Sequence, residues 1–160
     1  MEYALFNSPI GTLKLSAKNG QIISIQLPGW EGENKTDKNA VKPTKENGLL
    51  EAYTFLEGYF AGKKLSWQGK QIPAGTEFYK KVWQAAAEVP FGSTISYNAL
   101  GQKAGRHGAA RAVGSAMARN PLPILVPCHR VITSDLKLGG FGGGLDMKRW
   151  LLKHEGIVLN

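Results

Sequence analysis

The chain has 160 residues, 42% of them hydrophobic, with a single cysteine and a formal net charge of +8. That length supports one ordinary domain or two small ones, and no apolar run approaches the roughly 18 residues a membrane helix needs. One cysteine cannot close an internal disulfide, and the start, MEYALFNSPIG, lacks the parts of a secretory signal; the expected setting is the cytoplasm, with no membrane partner.

The chain opens with strand signals. In GTLKLSA, polar and apolar residues alternate, with Leu13 and Leu15 on one face, and Asn19-Gly20 marks a hairpin turn before QIISIQL. The polar stretch PGWEGENKTDKNAVKPTKENG reads as a mobile loop. LLEAYTFLEGYFAGK has helical spacing, with Leu49, Tyr53, Leu56 and Phe60 on one face and Gly62 as its stop. A segment around Leu65 and Trp67 is expected to return to the sheet, and QGKQIPAG to link to a second unit. The expected division is 1–72 and 73–160.

The second unit reads as mainly helical. Thr76 can cap a helix that turns Phe78 and Val82 inward, with Val89 following before PFG ends it. Ser96 can cap a second helix over YNALGQKAG, and GAARAVGSAMARN follows the Gly105 turn. Two short helices joined by a glycine turn suit either a helix-turn-helix or an ordinary helical hairpin. The later helix is lined with small residues (Ala109, Ala112, Gly114 and Ser115 among them), so it can approach either a packed helix or a nucleic acid closely. Arg111, projecting from that small face, favours the second. Residues 75–160 carry 11 Lys and Arg against 5 acids, and all five arginines, including Arg119, lie there, a balance that suits either a polyanion partner or a solvated basic surface. Arginine suits phosphate and base contacts.

Two prolines in NPLP stop that helix, and ILV leads to Pro127-Cys128-His129. GGFGGG (139–144) is neither a P-loop nor a dinucleotide fingerprint. In DMKRWLLKHEG, Asp146 is the expected cap and Gly156 the stop. Cys128 is either a small buried hydrophobe or a nucleophile. Three scattered histidines give no ligand spacing, so no metal and no cofactor are expected. His129 could serve as base, more easily through a bridging water than by direct contact, and Arg130 adds positive potential that would ease thiol ionisation. Glu155 sits where a helix dipole disfavours a carboxylate by roughly 0.3–1 kcal/mol, a cost that an exposed side chain simply bears, as spacing alone favours, or that a buried histidine partner would offset.

ISY at 95–97, AARAVG–AM–NP–PILVPCHRV at 109–131, the glycine loop and K–WLL–HEG at 148–156 together resemble the O6-alkylguanine-DNA alkyltransferases. The match runs in order from about Phe78 to Gly156. The resemblance implies an α+β protein: a ribonuclease-H-like N-terminal domain, then a mainly helical, winged-helix-like domain with a helix-turn-helix. It implies a monomer that binds duplex DNA through the minor groove and flips out O6-alkylguanine. Cys128 then takes the alkyl group irreversibly, activated through a Glu155–His129–water relay. Tyr97 would bond the flipped base, help to protonate it and turn the target phosphate. Asn120 would be a hinge, and Arg111 a finger filling the gap in the stack. Ala109, Ala112, Gly114, Ser115 and Arg119 would complete the DNA-facing helix.

The implied pocket comprises Met117, Pro123, Val131, Phe141, Gly142 and Gly143. The Cys128 and Val131 carbonyls would accept from the guanine amino group, and the Gly142 amide would reach O6. Many relatives have Tyr-Ser or Tyr-Ala where this chain has Phe141-Gly142, which bears on substrate breadth. Alkyltransferase-like lesion sensors usually carry tryptophan at the cysteine position, so PCHR argues for transfer over sensing.

Overall fold

The computed structural model describes residues 1–30, 34–67 and 74–159. Its N-terminal part is a three-stranded antiparallel sheet in the order β1 (Glu2–Ser8), β2 (Gly11–Lys18), β3 (Gln21–Gln26). Asn19 and Gly20 both take positive φ, 53° and 75°, the backbone that a two-residue hairpin demands. Alternation sends Ala4, Phe6, Leu13, Leu15 and Ile25 to one buried face, and a β-bulge in β3 opposite Ser16–Ala17 returns Ile22 to it. Helix α1 (Leu50–Phe60) packs there, with Phe6 meeting the Tyr53 and Phe60 rings at 5.0 and 5.8 Å.

Two expectations for this part change. The polar stretch after β3 is pinned where it is described: the Val41 amide donates to Tyr3 O at 2.8 Å, and Thr44 and Asn47 exchange side-chain-to-amide bonds. Leu65 and Trp67 form no strand and lie against α1 instead, Trp67 edge-on to Phe55 at 5.6 Å. Most of the expected linker, 68–73, lies outside the described residues.

Helix α2 (Glu77–Ala87) starts where expected, the Thr76 hydroxyl accepting from the Tyr79 amide at 3.1 Å. Its Trp83 donates Nε1 to Ala116 O at 2.9 Å, anchoring the later helix α4 (Ala110–Ala118) from inside. Strand β4 (Ile95–Ser96) runs into helix α3 (Tyr97–Lys103), with Ser96 as the cap. The α3–α4 turn uses positive φ at Gly105 and Gly108, and Gly101 leaves no room for a side chain against the Arg106 carbonyl. Leu100, Val113 and Ala116 are fully buried between these helices.

Strand β5 (Val131–Ile132) pairs in parallel with β4 and follows a 3₁₀ turn, Cys128–Arg130. Helix α5 (Leu145–His154) closes the fold. Asp146 does not cap it: Gly144, at φ 91°, occupies that position, and Asp146 sits in the first turn facing Arg149 at 3.3 Å. Only glycine accepts that backbone without strain, so the chain enters the helix two residues early. Gly156 ends the helix at φ 86°, with the Ile157 amide returning to Leu152 O. The two parts meet through the Ile25 amide on Pro121 O at 2.8 Å and through α1 against the end of α5. No described helix is long and apolar enough to cross a membrane.

Candidate active site

A short irregular segment fixes the thiol. After α4, Asn120 Nδ2 donates to Val126 O at 2.8 Å while its Oδ1 accepts from the Leu122 amide at 3.0 Å. Ile124 holds φ 74°, a strained state for a β-branched residue. At Pro127 the chain makes an inverse γ-turn (φ −79°, ψ 68°), closed by the Cys128 amide on Val126 O at 2.7 Å. Cys128 therefore sits on a tight backbone hook, only 8% exposed.

Behind it lies a carboxylate with every lone-pair direction in use. Glu155 Oε1 accepts from the Gly92 amide at 3.0 Å and Arg130 Nε at 2.8 Å. Its Oε2 accepts from Tyr59 Oη at 2.7 Å and from His129 Nε2. Because Nε2 donates, neutral His129 presents Nδ1 as its lone-pair nitrogen, and Nδ1 is buried without a protein partner. Burial pushes Glu155 upward, but the bonds and charges of His129 and Arg130 outweigh it and hold the acid at about 2. Burial holds His129 below its usual range, against the upward pull of Glu155. At neutral pH the pair is a carboxylate and an uncharged imidazole.

The buried cation that acts on the thiol is not the expected one. Arg130 turns away, onto Glu155 and Val89 O at 2.7 Å. Lys148 takes its place: fully buried, it donates Nζ to Val131 O at 2.7 Å, Gly140 O at 3.1 Å and Leu138 O. Burial pulls Lys148 down to about 8, against the opposing charge of Cys128. Burial pushes the Cys128 thiol up, while Asn120, Lys148 and the Cys128 and His129 amides work against it. The resting sulfur is a protonated thiol. Burial likewise raises Tyr97, against the Gly140 backbone, so its hydroxyl stays a donor.

A cavity of about 560 Å³ opens over Cys128, within the usual range for small-ligand sites. Tyr97, Arg111, Gly114, Met117, Phe141 and Gly142 line it. Pro123, Val131 and Gly143 do not. Pro123 is held in a backbone bridge to Val126, Val131 is fully buried, and Gly143 is packed against Met147 and Phe141. On α4, Arg111 and Arg119 are exposed and Ala112 and Ser115 half-buried, whereas Ala109 is buried at the helix start. Among the described residues no three His, Cys, Asp or Glu side chains gather as a metal site.

Tyr59 and Lys148 escaped the sequence reading. Lys148 had a signal, since it precedes Leu151 and Leu152 by three and four residues on the buried stripe of α5. Tyr59 follows Phe55 and Leu56 at the same spacings, on a stripe beside the one ending at Phe60.

The family model for "6-O-methylguanine DNA methyltransferase, DNA binding domain" matches residues 77–157. A methylated-DNA–protein-cysteine methyltransferase of Methanosarcina acetivorans is 42% identical over 98% of this chain and 99% of its own. One from Mycobacterium leprae is 41% identical over 93% and 88%. Among solved structures, Mycobacterium tuberculosis OGT in complex with DNA superposes with a TM-score of 0.80 at 35% identity, covering 98% of this chain and 93% of that one.

The buried Glu155–His129 pair makes the fold acid-labile. Unfolded His129 takes up a proton near 6.5 that the folded site resists, so stability falls as pH drops through that value. Glu155 adds stability that is present above 4.5 and lost as pH falls towards about 2. Denaturant titrations from pH 7 to 3 will show this decline, and Glu155→Gln will flatten its lower part. That variant also loses about 3–5 kcal/mol at pH 7, because Arg130 is left buried without its counter-ion.

Lys148→Met strands buried carbonyls and removes the positive charge beside the sulfur. It will lower the unfolding free energy by about 2–4 kcal/mol. It will also slow iodoacetamide labelling of Cys128 at pH 7, read by intact mass.

Proposed function

This chain belongs to the methylated-DNA–protein-cysteine methyltransferase family, and from that membership we propose that it repairs DNA by direct reversal. The alkyl group of an O6-alkylguanine in duplex DNA passes irreversibly to Cys128, and each molecule acts once. The observation that carries this reading is the buried Glu155–His129 pair immediately behind a thiol that faces an apolar cavity.

The atoms balance without a cofactor. The sulfur–carbon bond forms as the carbon–O6 bond breaks, giving a thioether and guanine. The thiol proton passes through a water to His129 Nδ1, whose positive form Glu155 stabilises, and guanine recovers one proton as it leaves, aided by the Tyr97 hydroxyl. Lys148 supports the transient thiolate. Met117, Phe141 and the glycine loop hold the flipped base, with the Gly142 amide able to reach O6. Loss of the loop hydroxyl at Phe141-Gly142 leaves this wall more apolar. Pro123, Val131 and Gly143 support the wall from outside the cavity.

For DNA, α3 and α4 serve as the helix-turn-helix of a winged-helix-like unit, 73–160, bound from the minor groove as a monomer. Arg111, exposed at the cavity mouth, fills the space left by the extruded base. Gly114, Ser115 and Ala112 allow close approach, and Arg119 meets phosphate. Residues 1–72, the sheet and α1, form the ribonuclease-H-like support. The protein works in the cytoplasm.

Incubation with duplex DNA containing O6-methylguanine will add one methyl mass, on the peptide that holds Cys128. Cys128→Ala will lose transfer and keep its affinity for the alkylated duplex. Repeated turnover by one molecule would refute the single-use mechanism.

Arg111→Ala will weaken binding and flipping of the alkylated duplex by tenfold or more, while reaction with free O6-benzylguanine stays within about twofold. Equal losses with both substrates would exclude the finger role.

A further inference from the structure

The relay is completed from the half of the chain that carries no reacting group. Tyr59 lies at the end of α1, fully buried, and donates Oη to Glu155 Oε2 at 2.7 Å. That oxygen is the one that accepts from His129 Nε2, and the Tyr59 hydroxyl lies 3.5 Å from the same nitrogen. The tyrosine is fixed at both ends, for its backbone carbonyl accepts from His154 Nε2 at 2.7 Å. His154 immediately precedes Glu155, so one turn of α5 grips Tyr59 by its carbonyl and its hydroxyl.

We infer that Tyr59 is a positioning residue for alkyl transfer: its hydroxyl holds Glu155 Oε2 in place and limits how strongly that oxygen draws the proton of His129. This rests on the proposed transfer to Cys128, and it gives the N-terminal half a part in the chemistry beyond support.

The sign follows from the donor set. Without the hydroxyl, Oε2 keeps His129 as its sole donor and becomes more basic, which favours the imidazolium. A positively charged His129 cannot take the thiol proton. The other groups facing this site are Arg130 and Cys128 on the cysteine turn, Lys148 and His154 on α5, and the Gly92 amide and Phe91 ring from the segment after α2. None of them replaces the lost hydroxyl on Oε2.

The test compares Tyr59→Phe with Phe60→Leu, which loosens the same junction through the Phe6, Tyr59, Trp150 and His154 rings while leaving the Tyr59 hydroxyl and the carboxylate in place. First-order transfer rates are measured against pH at saturating O6-methylguanine duplex, and the His129 imidazole is titrated by NMR in the absence of DNA. Tyr59→Phe is expected to raise the His129 midpoint by about one unit. Its transfer rate should fall about tenfold on the acid side and converge with the wild type on the alkaline side. Phe60→Leu should keep both midpoints. If Tyr59→Phe does not fold, 3-fluorotyrosine at position 59, a stronger donor, should move both midpoints downward. A uniform loss of rate at all pH, or unmoved midpoints, would overturn the inference. A wild type that transfers nothing while the His129 midpoint still shifts with Tyr59→Phe would defeat the proposed function and leave the positioning role standing.

Discussion

Everything at the active site depends on one ionised carboxylate held out of water. Glu155 is placed where its own helix opposes it, at the C-terminal end of α5, and it is only 6% exposed. The dipole penalty there is about 0.3–1 kcal/mol, and desolvation costs more. Against this stand four hydrogen bonds, each to a charged acceptor and each contributing about 1.5–3 kcal/mol. The bonds win, and the acid stays ionised. Their donors come from α1, the segment after α2 and the cysteine turn, so a single side chain draws three distant stretches together around the helix end that carries it. The fold and the relay share one determinant.

The thiol is built on the opposite principle. Nothing saturates it: burial raises it, and the groups that favour its anion surround it without overcoming that. A cysteine kept protonated reacts slowly with stray electrophiles, and under the proposed single-use mechanism that restraint conserves the sulfur for the seated substrate. Ionisation is then coupled to His129, which burial keeps neutral and able to accept a proton. The γ-turn and the strained Ile124 matter because they remove play. A sulfur that must meet a carbon in line gains from a rigid hook, and the strain at Ile124 is tolerated because Leu122, Ile124, Leu125 and Val126 are all buried.

What the sequence made legible was mostly local. Thr76, Ser96, Asn19-Gly20, Gly62 and Gly156 act through neighbours a few residues away, and each does what its chemistry suggests. Asp146 shows the limit: Gly144, two residues earlier, takes the cap position with its positive φ, and the expected capping side chain falls in the first turn. Leu65 and Trp67 have strand-like composition, yet their packing against α1 was set by tertiary contacts that no short window contains. Tyr59 and Lys148 were hidden for the same reason. Their polar atoms act on partners 96 and 17 residues away, on Glu155 and Val131, while their spacing reads only as burial. Within 128–131 the adjacent Cys128 and His129 stood out in the sequence, whereas the turn of Arg130 onto Glu155 and the full burial of Val131 depend on partners outside that window.

The three cations of the site show why residue type and direction matter more than net charge. Arg130 gives its planar fork to a carboxylate and a carbonyl, and so serves the relay. Lys148, a compact point charge, ties Val131, Leu138 and Gly140 together by their carbonyls and thereby pins the glycine loop over the sulfur. At Gly139 a side chain would run into the Tyr97 ring, so loop, lysine and tyrosine form one wall with no slack. Arg111 alone faces outward, at the mouth. A swap of Arg130 and Lys148 would keep the charge and break the site. The guanidinium has more donors than the loop has carbonyls in reach, and the ammonium cannot span Glu155 and Val89. The excess of positive charge in this half is therefore two separate things: a buried scaffold for the chemistry and an exposed surface for a polyanion.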